Sequence, residues 1–521
     1  MQRERYPVLI MFLVVFAGIA LRVFTALNTP VINPDGMEYI QQAKAIYYGD
    51  WHLLKSCLSF VSNYPFFIAG VYVFYSDWIF AARFVSVFFG SLTLLPLFFL
   101  IRRFADGWAS CLCLLLYAFI PFLVGGSADL IRDPGCWFFF VCGLYFFVTH
   151  MGIRATGWRR FLALLASYAS FLMAGWARPE ALIAVVVSLL YSLFYSFRSG
   201  DRRSVWISLS GPLLLTIIVG MGIMVFDPSF HVYYESASGK LRGSLEQYAQ
   251  LRSQLGVIAD DLRGQVLGSF LGKVRNLVWL NAFGVLTSGT VAGIFYPYIP
   301  FFAFGFSGLW ERIRRNPEIV YLITVLTVGY ILLFFHVLQF WYFEHRFLFI
   351  TILPACVLAA FGIEKINLFT ERKLRWKTPV GLVLIFLYIA GFGLGKNIKE
   401  RDTEKMIFRE IANYISTREY SPEQFVPVLT SDSSLMRLVP FYVNLGVQKG
   451  FCPYDSVKKL KNFEALLKYA KEYKIRYFLW NERHWSKTGI DIHSDQFRHT
   501  FASQGHWFHK ECGEIILFHR D

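Results

Sequence analysis

Asn33–Trp51 reads N-P-D-G-M-E-Y-I-Q-Q-A-K-A-I-Y-Y-G-D-W, and S-N-Y-P-F-F follows at Ser62–Phe67. This polar stretch stands between two apolar runs, about 8–27 before it and 78–101 after it. Runs of that length read as membrane spans, so Asp35 and Glu38 sit at a membrane edge. A carboxylate there needs water, a cation or a task. N-P-D-G carries turn chemistry, because Pro pre-sets its φ and Asp and Gly suit the later positions. Beyond it, Tyr39, Ala43, Ile46 and Tyr47 recur at three- and four-residue spacing, with Glu38, Gln41, Gln42 and Lys44 as the polar set. That pattern predicts a short amphipathic helix over 36–48 lying in the interface, ended by Gly49-Asp50. From spacing alone, Asp35 reads equally as a turn residue and as a functional carboxylate.

The apolar runs repeat along the chain, at roughly 8–27, 78–101, 108–125, 135–150, 160–177, 180–197, 205–226, 288–309, 319–338, 345–363 and 378–395. The expected fold is therefore mainly α and polytopic, with about eleven transmembrane helices. The chain of 521 residues is 55% hydrophobic and 18% aromatic, with a mean hydropathy of +0.45, which fits many lipid-facing and interfacial positions. Its net charge of +15 does not point to nucleic acid, since no nucleic-acid module is present. Basic residues collect in alternate loops instead: Arg102-Arg103, then Arg154, Arg159 and Arg160, then Arg198, Arg202 and Arg203, then Arg312, Arg314 and Arg315, then Lys365, Arg372, Lys373, Arg375 and Lys377. With a cytoplasmic N-terminus all of these fall inside, as the positive-inside rule asks. The run at 8–27 lacks an A-x-A-like exit and reads as a first span rather than a cleaved signal.

The opposite face receives a different set. After Asp35 and Glu38 come Asp129 and Asp133, then Arg178 and Glu180, then 227–275, then Glu344, His345 and Arg346. In R-D-P-G-C-W, Asp133 before Pro134 is also a helix-start signal, Asp capping and Pro at the first position. In G-W-A-R-P-E, Arg178 either snorkels to headgroups, grips a phosphate with its fork of donors, or pairs internally near Glu180. Arg346 lies in W-Y-F-E-H-R-F, where an interfacial aromatic belt is the plain alternative.

Residues 227–287 are polar and helix-prone, fitting outer helices that cap a site or merely connect spans. From Lys396 onward helix and strand patterns alternate: a helix near 403–417, F-V-P-V-L-T-S-D, a helix near 457–473, I-R-Y-F-L-W, and E-I-I-L-F-H at the end. A small soluble α/β domain over 396–521 is expected outside the cytoplasm, after a transmembrane domain over 1–395 with an outer loop at 28–77. It carries no G-x-G-x-x-G and no P-loop, which disfavours nucleotide binding. The eight cysteines show no zinc spacing. Cys111, Cys113, Cys136, Cys142 and Cys356 lie in or beside apolar runs and read as packing residues, while Cys452 and Cys512 share the tail and are open to pairing.

D-G-x-x-Y-x-x-x-A-x-x-I-x-x-G from Asp35, followed by Tyr64-Pro65, resembles the first outer loop of polyprenyl-phosphate-sugar-dependent glycosyltransferases. These are the GT-C enzymes of the protein O-mannosyltransferase and lipid A aminoarabinose transferase type. Many members carry a second acidic residue beside the first, where this chain has Gly36. The Asp133-Pro134 and Arg178-Pro179-Glu180 segments are similar too, as is 341–363, with Phe347 where that family commonly has Tyr. The resemblance implies a GT-C fold and a sugar moved, with inversion, from a polyprenyl phosphate to a lipid, glycan or protein acceptor. It implies Asp35 and Asp133 as the catalytic carboxylates. Glu38, Tyr39, Tyr64, Asp129, Arg178, Glu180 and Arg346 become the expected substrate contacts, with Arg178 and Arg346 as first candidates for the phosphate. These acids and bases are expected to converge in one pocket at the outer leaflet. A bacterial inner membrane, with the site and the tail periplasmic, is the expected location. No cofactor is expected, and no ligand cluster supports a metal, although Asp35 and Glu38 have the chemistry to join one.

Three rivals remain at this level. A lipid-pyrophosphate-dependent oligosaccharide ligase or polymerase differs only in donor. A transporter or flippase predicts paired repeats and helices broken at mid-membrane, whereas no internal repeat is visible. A non-catalytic scaffold predicts no activity that depends on Asp35.

Overall fold

The computed structural model describes residues 2–57, 61–152, 157–199, 230–373, 378–419, 424–431, 433–452 and 460–520, with isolated positions between 209 and 217. Apart from those positions, the expected span at 205–226 and Asp227 lie outside the described residues. So do Arg154, Arg202, Arg203, Arg375 and Lys377 of the basic loops. By contacts the chain falls into two compact units: Met1–Arg22, Phe89–Gly126 and Asp133–Ile398 in one, and Val23–Phe88, Ser127–Arg132 and Lys399–Asp521 in the other.

Seven helices among the described residues are long and apolar enough to cross a membrane, and up to ten spans result if three bent pairs are each counted as one. The chain is an integral membrane protein on this count, since each uninterrupted helix approaches the ~20 residues a bilayer core requires. Pro7–Leu27, Trp78–Arg102, Asp133–Gly152, Trp158–Ala177, Pro179–Phe197 and Pro317–Phe340 agree with expected spans, and Val380–Asn397 closes the series.

The bends correct three of the expected straight spans. The run at 108–125 is Gly107–Phe119 followed by Pro121–Ala128 at 53°. The run at 345–363 is His345–Ile352 followed by Cys356–Lys373 at 72°. Pro121 and Pro354 stand at these breaks, where a ring replaces the N–H that would continue the ladder. The expected span at 288–309 begins earlier, as Val278–Ile294, bent by 76° from Val266–Val274. It stops at Phe295, whose φ is 77°, and a 3-10 turn, Tyr296–Tyr298, leads into a separate helix, Ile299–Phe306.

The first unit buries an apolar core from Met11 to Ile389. The second contains a four-stranded sheet: β1 (Val428–Leu429), β2 (Tyr477–Asn481), β3 (Ala502–His509) and β4 (Gly513–His519), in the order β1-β2-β4-β3. β1 and β2 are parallel, and the other neighbours are antiparallel. Every residue of β2 is buried, as its Tyr-Phe-Leu-Trp run and central position favour. Leu466, Phe478, Phe497 and Phe518 form the core beneath the sheet. The helices Met406–Ser416 and Phe463–Glu472 match the expected ones. The expected start of the second, at Val457, lies outside the described residues. β3 was not legible in advance, because its mostly exposed residues and the irregularity between Ser503 and Gly505 break the alternating pattern. Cys512 is a free thiol while Cys452 is disulfide-bonded, so these two do not pair.

Candidate active site

The opening stretch forms one helix, Pro34–Tyr48. N-P-D-G is its first turn rather than a separate β-turn. Asn33 is in the N-cap position, Pro34 supplies a fixed φ and no N–H at a position where none is needed, and Asp35 places negative charge at the positive end of the helix. Gly49, with φ 73°, closes the other end in the left-handed conformation that costs Gly least.

The helix is not the interfacial amphipath expected. Gln41, Gln42 and Lys44 are buried, while Tyr47 and Tyr48 are exposed. The polar side chains find partners inside their own unit. Gln41 Oε1 accepts from the Phe451 N–H at 2.9 Å, and Lys44 Nζ donates to the carbonyls of Leu445 and Val447 at 2.7 and 2.8 Å. Those acceptors lie some four hundred residues on, so spacing within the helix carried no sign of them.

Asp35 and Glu38 lie three residues apart and share a helix face. Burial raises the Glu38 carboxyl above its usual range, the neighbouring Asp35 raises it further, and Arg437 and Arg132 oppose both. The Ser127–Arg132 segment is tied to the same helix start, since Asn33 Oδ1 accepts from the Leu130 N–H at 3.0 Å. A Cβ at Gly36 would come within 2.8 Å of the Leu130 side chain. That close approach is the physical reason Gly stands beside Asp35, and the second carboxylate enters two positions after Gly36, as Glu38.

The other expected contacts of this unit are built into its frame. The buried Tyr64 hydroxyl donates to the Ala82 carbonyl at 3.0 Å and shares a 2.8 Å hydrogen bond with Ser86, and its ring meets Tyr39 edge-on at 5.2 Å. Asp129 pairs with Arg401 at 3.3 Å. Burial raises the Asp129 carboxyl, and Arg401 pulls it back down.

In the first unit, Asp133 opens the helix Asp133–Gly152, and Arg178 follows the C-terminus of Trp158–Ala177. The two form a bidentate ion pair, Nε to Oδ1 at 2.5 Å and Nη2 to Oδ2 at 3.1 Å. Asp133 is 0% exposed and Arg178 3%. The ion pair Arg178 makes is thus with Asp133, and both carboxylate oxygens accept from the guanidinium. The Arg178 guanidinium also lies 4.8 Å from the centre of the Phe347 ring, which rationalises an aromatic there. Arg346 pairs with Glu344, and Glu180 is half-buried in the short 3-10 turn Pro179–Leu182.

Arg132 and Arg437 are the charged neighbours that reading the sequence missed. Arg132 sits beside the helix-start signal of Asp133-Pro134 and was passed over for it. Arg437 lies far along the chain in S-L-M-R-L-V-P-F, where nothing local marks it. Among the described residues no group of three or more His, Cys, Asp and Glu side chains is arranged to hold a metal ion.

The overall path of the chain has solved counterparts. ArnT from Cupriavidus metallidurans in the apo state superposes with a TM-score of 0.59 at 13% identity, over 97% of this chain and 97% of that one. The chain has the GT-C fold. The same enzyme bound to undecaprenyl phosphate gives 0.57 at 11% identity, again over 97% of each chain. The archaeal oligosaccharyltransferase AglB from Archaeoglobus fulgidus, in complex with an inhibitory peptide and a dolichol-phosphate, gives 0.56 at 10% identity, over 99% of this chain and 74% of that one. No protein-family model and no curated protein sequence matches.

Proposed function

We propose that the protein is a membrane glycosyltransferase that moves a sugar from a polyprenyl phosphate to a hydroxyl of a lipid, glycan or protein acceptor. The observation that carries the reading is the carboxylate pair Asp35–Glu38 on one helix face, with Arg132 and Arg437 in its field, in a chain of GT-C fold. The lipid class comes from the similar proteins, whose solved complexes hold undecaprenyl phosphate or dolichol-phosphate.

The acceptor oxygen attacks the anomeric carbon as the bond from that carbon to the phosphate oxygen breaks. The phosphate leaves with the electron pair, and the configuration inverts. Asp35 takes the hydroxyl proton or orients it. Phosphate is already a competent leaving group, so the second carboxylic acid of a glycosidase is not required. Positive charge aimed at the departing phosphate is the larger contribution. Arg132 and Arg437 supply it in this reading, while Arg178 and Arg346 are paired with Asp133 and Glu344. The protein lies in a bacterial inner membrane with its N-terminus cytoplasmic, and the reaction and the tail face the periplasm.

Likeness to an oligosaccharyltransferase favours a second reading, an oligosaccharide ligase with a lipid-pyrophosphate donor. One experiment serves both. Purified protein is incubated with radiolabelled polyprenyl-phosphate and polyprenyl-pyrophosphate sugars and a crude envelope extract, beside Asp35→Asn. Transfer from the monophosphate by wild type alone supports the proposal, transfer from the pyrophosphate alone selects the second reading, and equal transfer by both proteins removes Asp35. An arm with chelator tests whether a divalent cation joins Asp35 and Glu38.

A further inference from the structure

The Lys44 side chain plays no part in the chemistry above, yet it is among the largest fully buried side chains of the protein. A buried ammonium must find acceptors or lose its charge. Lys44 finds two, the carbonyls of Leu445 and Val447. They lie two and four residues past the C-terminus of the helix Leu438–Val443, near a helix end that favours a cation. The Trp78 ring lies 6.0 Å from Nζ. Asn444 stiffens the same corner. Its side chain accepts from the Val426 N–H at 2.7 Å and donates to the carbonyls of Val426 and Pro440 at 2.9 and 3.0 Å. The corner therefore moves only together with the helix and the strand entrance it joins.

Arg437 stands at the opposite end of that helix, in its N-cap position. A helix of this length spans about 9 Å and shifts as one body. Glu38 and Lys44 are carried by a single helix, and Arg437 and the Leu445 carbonyl flank another. Both helices belong to the same compact unit. They are joined again where Gln41 accepts from Phe451 and, just upstream of Pro34, where the Ile32 N–H donates to the Tyr442 hydroxyl at 2.9 Å.

We infer that Lys44 is a positioning residue: by holding the carbonyls beyond the Leu438–Val443 helix, it fixes Arg437 at the Asp35–Glu38 pair, so that the tail supplies part of the phosphate-binding charge. The inference rests on the proposed function for what Arg437 binds, and on the hydrogen bonds of Lys44 for how Arg437 is held. Lys44 acts through Arg437 and need touch no substrate.

The test is a double-mutant cycle of Lys44→Met and Arg437→Gln in full-length protein in nanodiscs, read as the affinity for undecaprenyl phosphate. Each single substitution is expected to weaken binding about tenfold, and the double substitution to weaken it no further than the stronger single one. Hydrogen exchange runs beside it. Lys44→Met raises exchange across 434–443, while Arg437→Gln does not. Additive losses, unchanged affinity in Lys44→Met, or unchanged exchange across 434–443 would each overturn the inference. Wild type that fails to bind undecaprenyl phosphate instead rejects the donor reading before any substitution is made, and the exchange arm still decides whether Lys44 holds the helix. Should Lys44→Met not fold, Lys44→Gln, which keeps amide donors but no charge, gives the same two readouts.

Discussion

Asp133 in one unit and Glu38 in the other are both carboxylates of an apolar chain, and their surroundings separate them. Asp133 is fully buried, and both its oxygens accept from the Arg178 guanidinium. Its charge is answered by one opposite charge in ideal forked geometry, and the pair joins the start of one span to the end of the next. Glu38 is half-buried, shares a helix face with a second carboxylate, and feels two arginines that do not cancel the effect of burial. The first arrangement sets one charge against its opposite, while the second holds like charges together on one helix face. Desolvation combined with a like charge is the signature of carboxylates that work.

The largest effect expected from this contrast is on the like-charged pair. Asp35→Asn should lower transfer by about 10²–10⁴-fold while leaving thermal stability near that of wild type. A variant that is unstable instead would make Asp35 a helix-start residue and nothing more. Next is the oppositely charged pair. Arg178→Met strands a buried carboxylate and should cost about 3–5 kcal/mol of stability, most of it regained in Asp133→Leu/Arg178→Met, as read by thermal unfolding in detergent. A stable Arg178→Met that has lost polyprenyl-phosphate affinity would place Arg178 among the ligands and erase the distinction. Tyr64→Phe should cost about 1 kcal/mol through the lost Ala82 and Ser86 contacts, with transfer little changed. A large loss of transfer without loss of stability would return Tyr64 to the substrate.

The smallest effect concerns pH. The Glu38 carboxyl is raised in the folded protein, so the folded state holds that proton more tightly than the unfolded chain does. Its contribution to stability is complete below the ordinary carboxylate value of 4.5 and is lost as pH rises through the raised one. Glu38→Gln should flatten that part of the stability profile. An unchanged profile would mean that Glu38 is not the strained member of the pair.

Much of the outline was legible because lipid imposes it. Long apolar runs must be helices. Asp133-Pro134 announced a helix start, and the 36–48 periodicity announced a helix. The bends at Pro121, at Pro354 and between Val274 and Val278 were not placed, because hydropathy averages over a window and does not register a local break in the helix. The buried state of Gln41 and Lys44 was not legible either, since their partners sit in the tail. Arg437 escaped for the same reason: proximity across the chain leaves no local trace. Cys452 and Cys512 share the tail, yet nearness in one domain does not make a disulfide.

The central claim is that Asp35 acts on the acceptor during transfer rather than in holding the donor. Single-turnover transfer from a radiolabelled polyprenyl-phosphate sugar, measured with donor affinity in the same preparation, addresses it directly. Wild type should transfer rapidly, and Asp35→Asn should bind the donor about as well yet transfer on the order of 10²–10⁴-fold more slowly. Transfer at the wild-type rate by Asp35→Asn, or a loss explained wholly by weaker donor binding, would contradict the account.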